Sequence, residues 1–273
     1  MVGERAQPEV IAQIRKELGS DKDVISQYFG YIKLLITGEF GRSYYTNRKV
    51  FDDLILKFPN TLKLAAGAML IAIPVGLLFG FLSAIRRDTV TDRLVSSVSV
   101  TGLSVPVFWS GLLIMLFFSL RLKLFPPSGT GGLRFLILPS ITLSLPALAT
   151  LARITRSVTI EILEAPFINT ARAKGITDFK INMVHVFKNA LIPVITVIGL
   201  DFGSYLNGAV LTETIFGWDG IGRFTMEGII KRDYPVIMGC VITGTVVFVV
   251  INMLVDIIYH YIDPRIRLHE DSG

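Results

Sequence analysis

Two absences limit the chemistry that this sequence can carry. Its 273 residues include a single cysteine, Cys240, so neither a disulfide framework nor a thiolate metal site can be built from the chain. None of its 24 glycines is followed by lysine, which rules out a P-loop, the phosphate-binding loop of many ATPases. We therefore expect no metal site, no cofactor and no nucleotide site in this chain.

Charged residues are also scarce. They make up 18% of the chain, hydrophobic residues make up 51%, and the mean hydropathy is +0.59. This composition is typical of an integral membrane protein. The formal net charge of +5 does not indicate nucleic-acid binding, because the basic residues are spread among the loops, as is common in membrane proteins.

The apolar residues are concentrated in long runs. A helix needs roughly 20 predominantly apolar residues to cross a bilayer. The stretches that meet this requirement are about 61–85, 94–120, 135–152, 190–212 and 235–261. The sequence therefore predicts an all-α membrane protein in which five spans are present.

Basic residues indicate how these spans are oriented. Loops 86–93 and 153–188 fall on one side and hold nine Lys and Arg residues, whereas loops 121–134 and 213–234 on the other side hold six. Since cytoplasmic loops carry the excess of basic residues, we expect the stretch 153–189 and the C-terminus to be cytoplasmic. Residues 1–60 then lie outside.

The outer segment 1–60 is predicted to form two amphipathic helices, because apolar residues recur at helical spacing over Pro8–Leu18 and Asp23–Ile36. Gly19 and Gly38 are placed to end them, and Asn60 or Thr61 to cap the first membrane helix. The segment contains no signal peptide or apolar span that would carry it across the membrane. We therefore expect a sixth span before Met1 in the intact protein; alternatively, Met1 is the true start and the segment crosses with the first helical hairpin. Residues 61–273 form the membrane domain.

The stretch 153–189 is too long and too basic for an ordinary connector between membrane helices. Pro166 suits the first turn of a short helix that Gly175 ends, and Ala171 and Ala173 keep that helix thin enough for a partner's groove. A second helix is predicted over 178–188, capped by Thr177, and it runs without a flexible linker into the span at Pro193. The alternative is an amphipathic segment that rests on the lipid surface.

The residues of this stretch decide between the two readings. The run Asn169-Thr170-Ala171-Arg172-Ala173-Lys174-Gly175, followed by His185, Asn189 and Ala190-Leu191-Ile192-Pro193, resembles the cytoplasmic EAA loop of ABC-transporter permeases, with Asn169 where that motif carries its acidic residue. More narrowly, the chain resembles the B-type permeases of dipeptide, oligopeptide and nickel importers. The supporting motifs are Gly102-Leu103-Ser104-Val105-Pro106-Val107-Phe108-Trp109, Glu213-Thr214-Ile215-Phe216-Gly217-Trp218, Gly220-Ile221-Gly222 and Asp263-Pro264-Arg265-Ile266-Arg267.

This resemblance implies a multi-pass permease, not an enzyme, with the type I ABC importer fold in a bacterial or archaeal plasma membrane. It implies a second homologous permease subunit, two cytoplasmic ATPase subunits and an extracytoplasmic binding protein that delivers a peptide or related solute. The short helix would be the coupling helix that docks on an ATPase. Its coupling residues would be Phe167, Asn169, Thr170, Ala171, Arg172, Ala173, Lys174 and Gly175.

Substrate is expected to pass between this subunit and its partner, along a face of the fourth span lined by small and polar residues. The residues predicted to line the path are Asp201, Ser204, Asn207 and Gly208. Asp201 would contact a cationic end of the substrate or, alternatively, pair with a basic residue or hydroxyl within the bundle. Glu213, Trp218 and Asp219 would either receive the binding protein or pack against the outer ends of the spans. The rival function is a self-contained secondary transporter or channel.

Overall fold

The computed structural model describes residues 23–262, which form ten helices joined by short loops. Within these residues, β-type pairing is confined to a single antiparallel bridge between Arg42 and Lys49. The predicted all-α architecture is therefore confirmed. The helices are α1 (Val24–Thr37), α2 (Val50–Ile85), α3 (Val90–Ser104), α4 (Val107–Arg121), α5 (Leu133–Leu163), α6 (Pro166–Ala173), α7 (Asp178–Leu206), α8 (Val210–Ile215), α9 (Ile221–Lys231) and α10 (Tyr234–Ile262).

Helices α2, α5, α7 and α10 are each long and apolar enough to cross a membrane, and the pair α3–α4 makes a fifth span if its two halves are counted together. These match the five predicted stretches. The predicted single helix over 94–120 is nevertheless wrong, because α3 and α4 meet at an angle of 101°. The cause is Pro106, which forces the preceding Val105 into an extended conformation and so ends α3.

The first span also begins earlier than predicted. Helix α2 starts at Val50 and contains Pro59, so neither Asn60 nor Thr61 caps it. Its 36 residues extend ~54 Å, against ~30 Å for the hydrocarbon core of a bilayer. At least one end of α2 therefore projects into the aqueous phase or the headgroup region.

Of the two predicted amphipathic helices, the second is confirmed as α1. The Asp23 side chain accepts a hydrogen bond from the backbone N–H of Ser26 at 3.3 Å, and Gly38 ends the helix in the left-handed conformation with φ 68°. The other predicted helix, Pro8–Leu18, lies outside the described residues.

Glycines set the distance between α2 and α5, the most extensively packed pair of helices in the described bundle. A Cβ atom on Gly67 would lie 2.5 Å from Ser140 Oγ, and one on Gly76 would lie 2.8 Å from Leu151 Cβ. A Cβ on Gly80 would overlap the backbone carbonyl of Ala152. The two helices can approach this closely only because these positions lack a side chain.

We expect the change Gly80→Ala to lower the free energy of unfolding by about 1–3 kcal/mol, because the added methyl group meets backbone that cannot move aside. Gly30→Ala is the matched control: it also lies within a helix, and its Cβ would meet nothing within 4 Å. The measurement is the apparent melting temperature of each purified variant in detergent. Equal values for the two variants would contradict the packing described here.

Candidate functional site

The predicted coupling helix is present as α6. Pro166 occupies its first turn, the helix ends at Ala173, and Gly175 adopts the left-handed conformation with φ 75°. The preceding residues 153–163, however, are not loop: they continue the long helix α5. The polar stretch therefore consists of the end of a membrane helix, α6, and the start of α7, with only short connections between them.

Helix α6 packs against its own subunit through one face. Ile168 and Ala171 are buried in a cluster with Phe81 of α2 and with Ile181 and Val186 of α7. The expectation that Ala171 helps α6 to fit a partner's groove is therefore wrong, since its side chain is covered from within. The other predicted coupling residues are exposed: Phe167, Asn169, Thr170, Arg172, Ala173, Lys174 and Gly175.

The helix after α6 is continuous with the membrane span. Helix α7 runs from Asp178 to Leu206, with a π-helical segment over Ile181–Phe187 and Pro193 within it. Thr177 occupies the predicted N-cap position, although its side chain makes no capping hydrogen bond. The predicted rigid connection between the polar stretch and the span is thus present.

The four predicted path residues do not share one environment. Ser204 and Asn207 are exposed on the subunit surface, and Asn207 lies directly beside Gly244 of α10. Gly208, with φ 111°, is a packing position, since its Cβ would lie 2.9 Å from Gly222 Cα. Asp201 is half-buried, and its Oδ2 atom has no hydrogen-bond partner among the described residues.

A buried carboxylate organises the loop that follows α7. Glu213 is fully buried and accepts hydrogen bonds from Thr61 Oγ1 and from the Arg223 backbone N–H, both at 2.9 Å. Trp218 is 1% exposed, and its indole N–H donates to the Asn60 carbonyl at 2.9 Å. Of the two roles considered for Glu213 and Trp218, packing against the spans is therefore the one observed.

Asp219 differs from these two residues, because it is half-exposed and forms an ion pair with Lys57. Together, Asn60, Thr61, Glu213 and Trp218 join α2 to α8 and to the segment between α8 and α9. We call these four residues the outer cluster, because the distribution of basic residues predicts that this end of α2 lies outside.

A second buried carboxylate joins three helices at the opposite end of α2. Asp92 accepts hydrogen bonds from Nε and Nη2 of Arg156 at 2.6 and 2.8 Å. It also accepts bonds from Ser83 Oγ and from the Asp88 backbone N–H. This pair was not predicted from the sequence, since Arg156 lies in the stretch 153–188, where it counted only as a basic residue of a loop.

In the described part of the chain, no group of three or more His, Cys, Asp or Glu side chains comes together. A short exposed helix is held on the ends of membrane spans, and polar clusters fix the loops at either end of α2.

Comparison with known proteins identifies the family of this chain. Residues 76–268 match the family described as binding-protein-dependent transport system inner membrane component, and residues 1–65 match the N-terminal family of the same membrane components. The chain belongs to this permease family. The family consists of transport permeases and not of enzymes.

The permease is similar to peptide-transport proteins over almost its whole length. It is 40% identical to the di/tripeptide transport system permease DppB of Pseudomonas aeruginosa, covering 98% of this chain and 88% of that protein. It is 37% identical to the dipeptide permease DppB of Escherichia coli, with 98% and 88% covered. It is also 37% identical to the glutathione transport permease GsiC of Salmonella typhimurium, with 98% and 87% covered.

The fold of the permease matches a solved importer. A chain of the MetNI methionine ABC transporter in an inward-facing conformation superposes with a TM-score of 0.66 at 18% identity, covering 77% of this chain and 96% of that one. The predicted type I importer fold and the resemblance to dipeptide and oligopeptide permeases are confirmed. The permease is thus a multi-pass membrane component of a binding-protein-dependent ABC importer, which decides against a self-contained transporter or channel.

The outer cluster of the permease should respond to pH through Glu213, which lies between the membrane spans. Burial raises the pKa of Glu213 above its ordinary value; the hydrogen bonds from the Arg223 backbone and the Thr61 hydroxyl oppose this shift. Because the folded state binds this proton more tightly than the unfolded state does, the contribution of Glu213 to stability is present at low pH. This contribution is lost as the pH rises from the ordinary pKa of a glutamate through the raised pKa of Glu213 in the folded state.

In a Trp109→Phe background, Trp218 is the single tryptophan and reports this loop by fluorescence. We expect its emission to shift to longer wavelength as the pH is raised above the ordinary range of a glutamate carboxyl, because the ionised carboxylate loosens the cluster. The shift should be absent from Glu213→Gln. A Glu213→Gln variant that shows the same pH dependence would contradict this assignment.

Proposed function

We propose that this permease forms one half of the path by which dipeptides or closely related short peptides enter the cell, driven by ATP hydrolysed on separate subunits that dock on α6. The observation that carries the proposal is the exposed face of α6, which is held rigidly on the ends of two membrane helices. Short peptides are the proposed substrates because the relatives described above are named as permeases for di- and tripeptides, dipeptides and glutathione.

The docking surface combines apolar and basic side chains. Phe167 is 45% exposed and Phe179 is 74% exposed, on neighbouring helices of the polar stretch. Around them, Arg172, Lys174 and Lys180 are exposed. Large aromatic side chains on a water-facing loop mark an interaction surface, because their exposure is unfavourable until a partner covers them.

Movement of this surface reaches the membrane without a flexible link. The buried contacts of Ile168 and Ala171 with Phe81 fix α6 on the end of α2, and α7 carries the motion into its span as one continuous helix. ATP binding would draw the two ATPases together and shift the paired permeases between inward-open and outward-open arrangements. The complete importer contains a second homologous permease, two ATPase subunits and an extracytoplasmic binding protein.

The positive-inside rule places α6 and the C-terminus of the permease in the cytoplasm and residues 1–60 outside, in a bacterial or archaeal plasma membrane. The outer cluster then faces the binding protein's side of the membrane. Its buried members hold the loop in shape, and half-exposed Asp219 is the residue of that loop available for contact.

The peptide path is assigned to the surface on which Ser204 and Asn207 are exposed. Asp201 lies one turn from Ser204. Its carboxylate is half-buried, with Oδ2 buried and without a hydrogen-bond partner among the described residues, and it is the acceptor proposed for the cationic amino terminus of a peptide. Gly208 supports this face by allowing α7 and the loop after it to approach Gly222.

We expect Phe167→Glu to abolish both co-purification of the ATPase subunits and transport, because it places a charge in the apolar part of the docking surface. The matched control is Phe29→Glu on α1, where the phenylalanine is 64% exposed and far along the chain from α6. This variant should retain its ATPases. If Phe167→Glu also retains them, α6 is not the coupling helix. Ala171→Glu is unsuitable as a probe, since it would bury a charge and disrupt the subunit itself.

We expect Asp201→Asn to reduce dipeptide uptake by about tenfold or more, since one charge-assisted hydrogen bond to a buried group contributes roughly 1.5–3 kcal/mol. The measurement is uptake by the complete importer in proteoliposomes, normalised to assembled complex. Glu164→Gln, which removes an exposed acidic group outside the proposed path, should have a much smaller effect. Unchanged uptake by a fully assembled Asp201→Asn importer would remove Asp201 from the path.

A further inference from the structure

We propose that the ion pair between Asp92 and Arg156 is a positioning pair that transmits the displacement of α6 to the bent pair α3–α4. This inference rests on the proposed function, because it requires that α6 be the place where an ATPase moves the permease. It adds a pair of residues outside both the docking surface and the peptide path.

The geometry of the pair suits a rigid connection. The guanidinium of Arg156 donates from Nε and Nη2 to the two carboxylate oxygens of Asp92, at 2.6 and 2.8 Å. This bidentate arrangement fixes relative orientation as well as distance. The Asp92 side chain is 5% exposed and that of Arg156 is 29% exposed, so solvent screens the pair little.

Two routes from α6 converge on Asp92. Along the chain, α5 carries Arg156 and ends at Leu163, and α6 follows after two residues. Through space, α6 packs on Phe81, and Ser83, two residues further along α2, donates a hydrogen bond to Asp92. A rigid-body shift of α6 therefore displaces donors on both α5 and α2 that are bonded to the same carboxylate.

Helix α3 depends on this carboxylate because little else of the helix is buried. Asp92 and Ser99 are its buried residues, and several of its large apolar side chains are highly exposed, including Val90, Leu94 and Val98. Asp92 also accepts a hydrogen bond from the Asp88 backbone at 3.0 Å, which fixes the turn between α2 and α3. A displacement of Arg156 and Ser83 must therefore move the start of α3. Because the helix is broken at Pro106, α4 can then move as a separate segment.

A neighbouring ion pair provides the matched control. Arg87, in the turn between α2 and α3, contacts Glu164 at the end of α5 at a distance of 2.5 Å. It joins the same two regions as the Asp92 pair, but the side chains are 51% and 65% exposed. Exposed pairs contribute little, so this contact should not transmit motion strongly.

The test uses the complete importer, with its ATPases and peptide-loaded binding protein, in proteoliposomes. The variants are Arg156→Lys, which keeps the charge but loses the bidentate geometry, Asp92→Asn, which removes the charge, and Glu164→Gln as control. The measured quantity is peptide transported per ATP hydrolysed, alongside ATPase co-purification and melting temperature. A residue with only a structural role would lower the amount of assembled complex without changing this ratio.

We expect Arg156→Lys and Asp92→Asn to assemble with their ATPases and to lower transport per ATP by roughly 2- to 30-fold, the range seen for residues that modulate coupling between distant sites. Glu164→Gln should stay within about twofold of the unchanged permease. Unchanged transport per ATP in Arg156→Lys would overturn the proposal, as would an equal loss in Glu164→Gln. If the proposed coupling function is itself wrong, the result differs: the ATPases still co-purify with the Phe167→Glu variant.

Discussion

The close contact between α2 and α5 is the constraint on which the other described features depend. Gly67, Gly76 and Gly80 let the two helices meet almost backbone to backbone, and this places the end of α2 beside the end of α5. Phe81 can then receive α6, and Ser83 can reach the same carboxylate as Arg156. If the two helices were held apart by side chains at the three glycines, neither contact would form.

Clusters built around a carboxylate fix both ends of this helical pair, whereas glycines, apolar residues and small hydroxyl residues such as Ser140 fill the middle. Asp92 at one end and Glu213 at the other are buried carboxylates, each with several hydrogen-bond donors. A buried carboxylate is costly unless its donors are in place, so each of them specifies a single arrangement of the chain around it. The membrane part of the permease can slide or tilt only if these end clusters move with it.

The amino-acid sequence predicted local features well and long-range contacts poorly. Pro166 and Gly175 mark the two ends of α6, because both residues act on their own backbone. The five apolar runs were recognisable from their length alone. The start of α2 was missed, because residues 50–60 carry charges and a proline, and are held helical by tertiary contacts of Val50 and Leu54. The burial of Ala171 depends on Phe81, 90 positions earlier. Arg156 and Asp92 are 64 positions apart, so no local pattern could have joined them.

The length of α2 has a thermodynamic consequence. One continuous helix carries Asn60 and Thr61 of the outer cluster near one end and Phe81 and Ser83 near the other. A ligand that prefers one position of this helix at the Thr61 end alters the affinity of any ligand at the Ser83 end that also distinguishes these positions, and the effect is equal in both directions. Suppose that a loaded binding protein raises the affinity of the permease for nucleotide-bound ATPases. Nucleotide binding must then raise the affinity of the permease for the binding protein by the same factor.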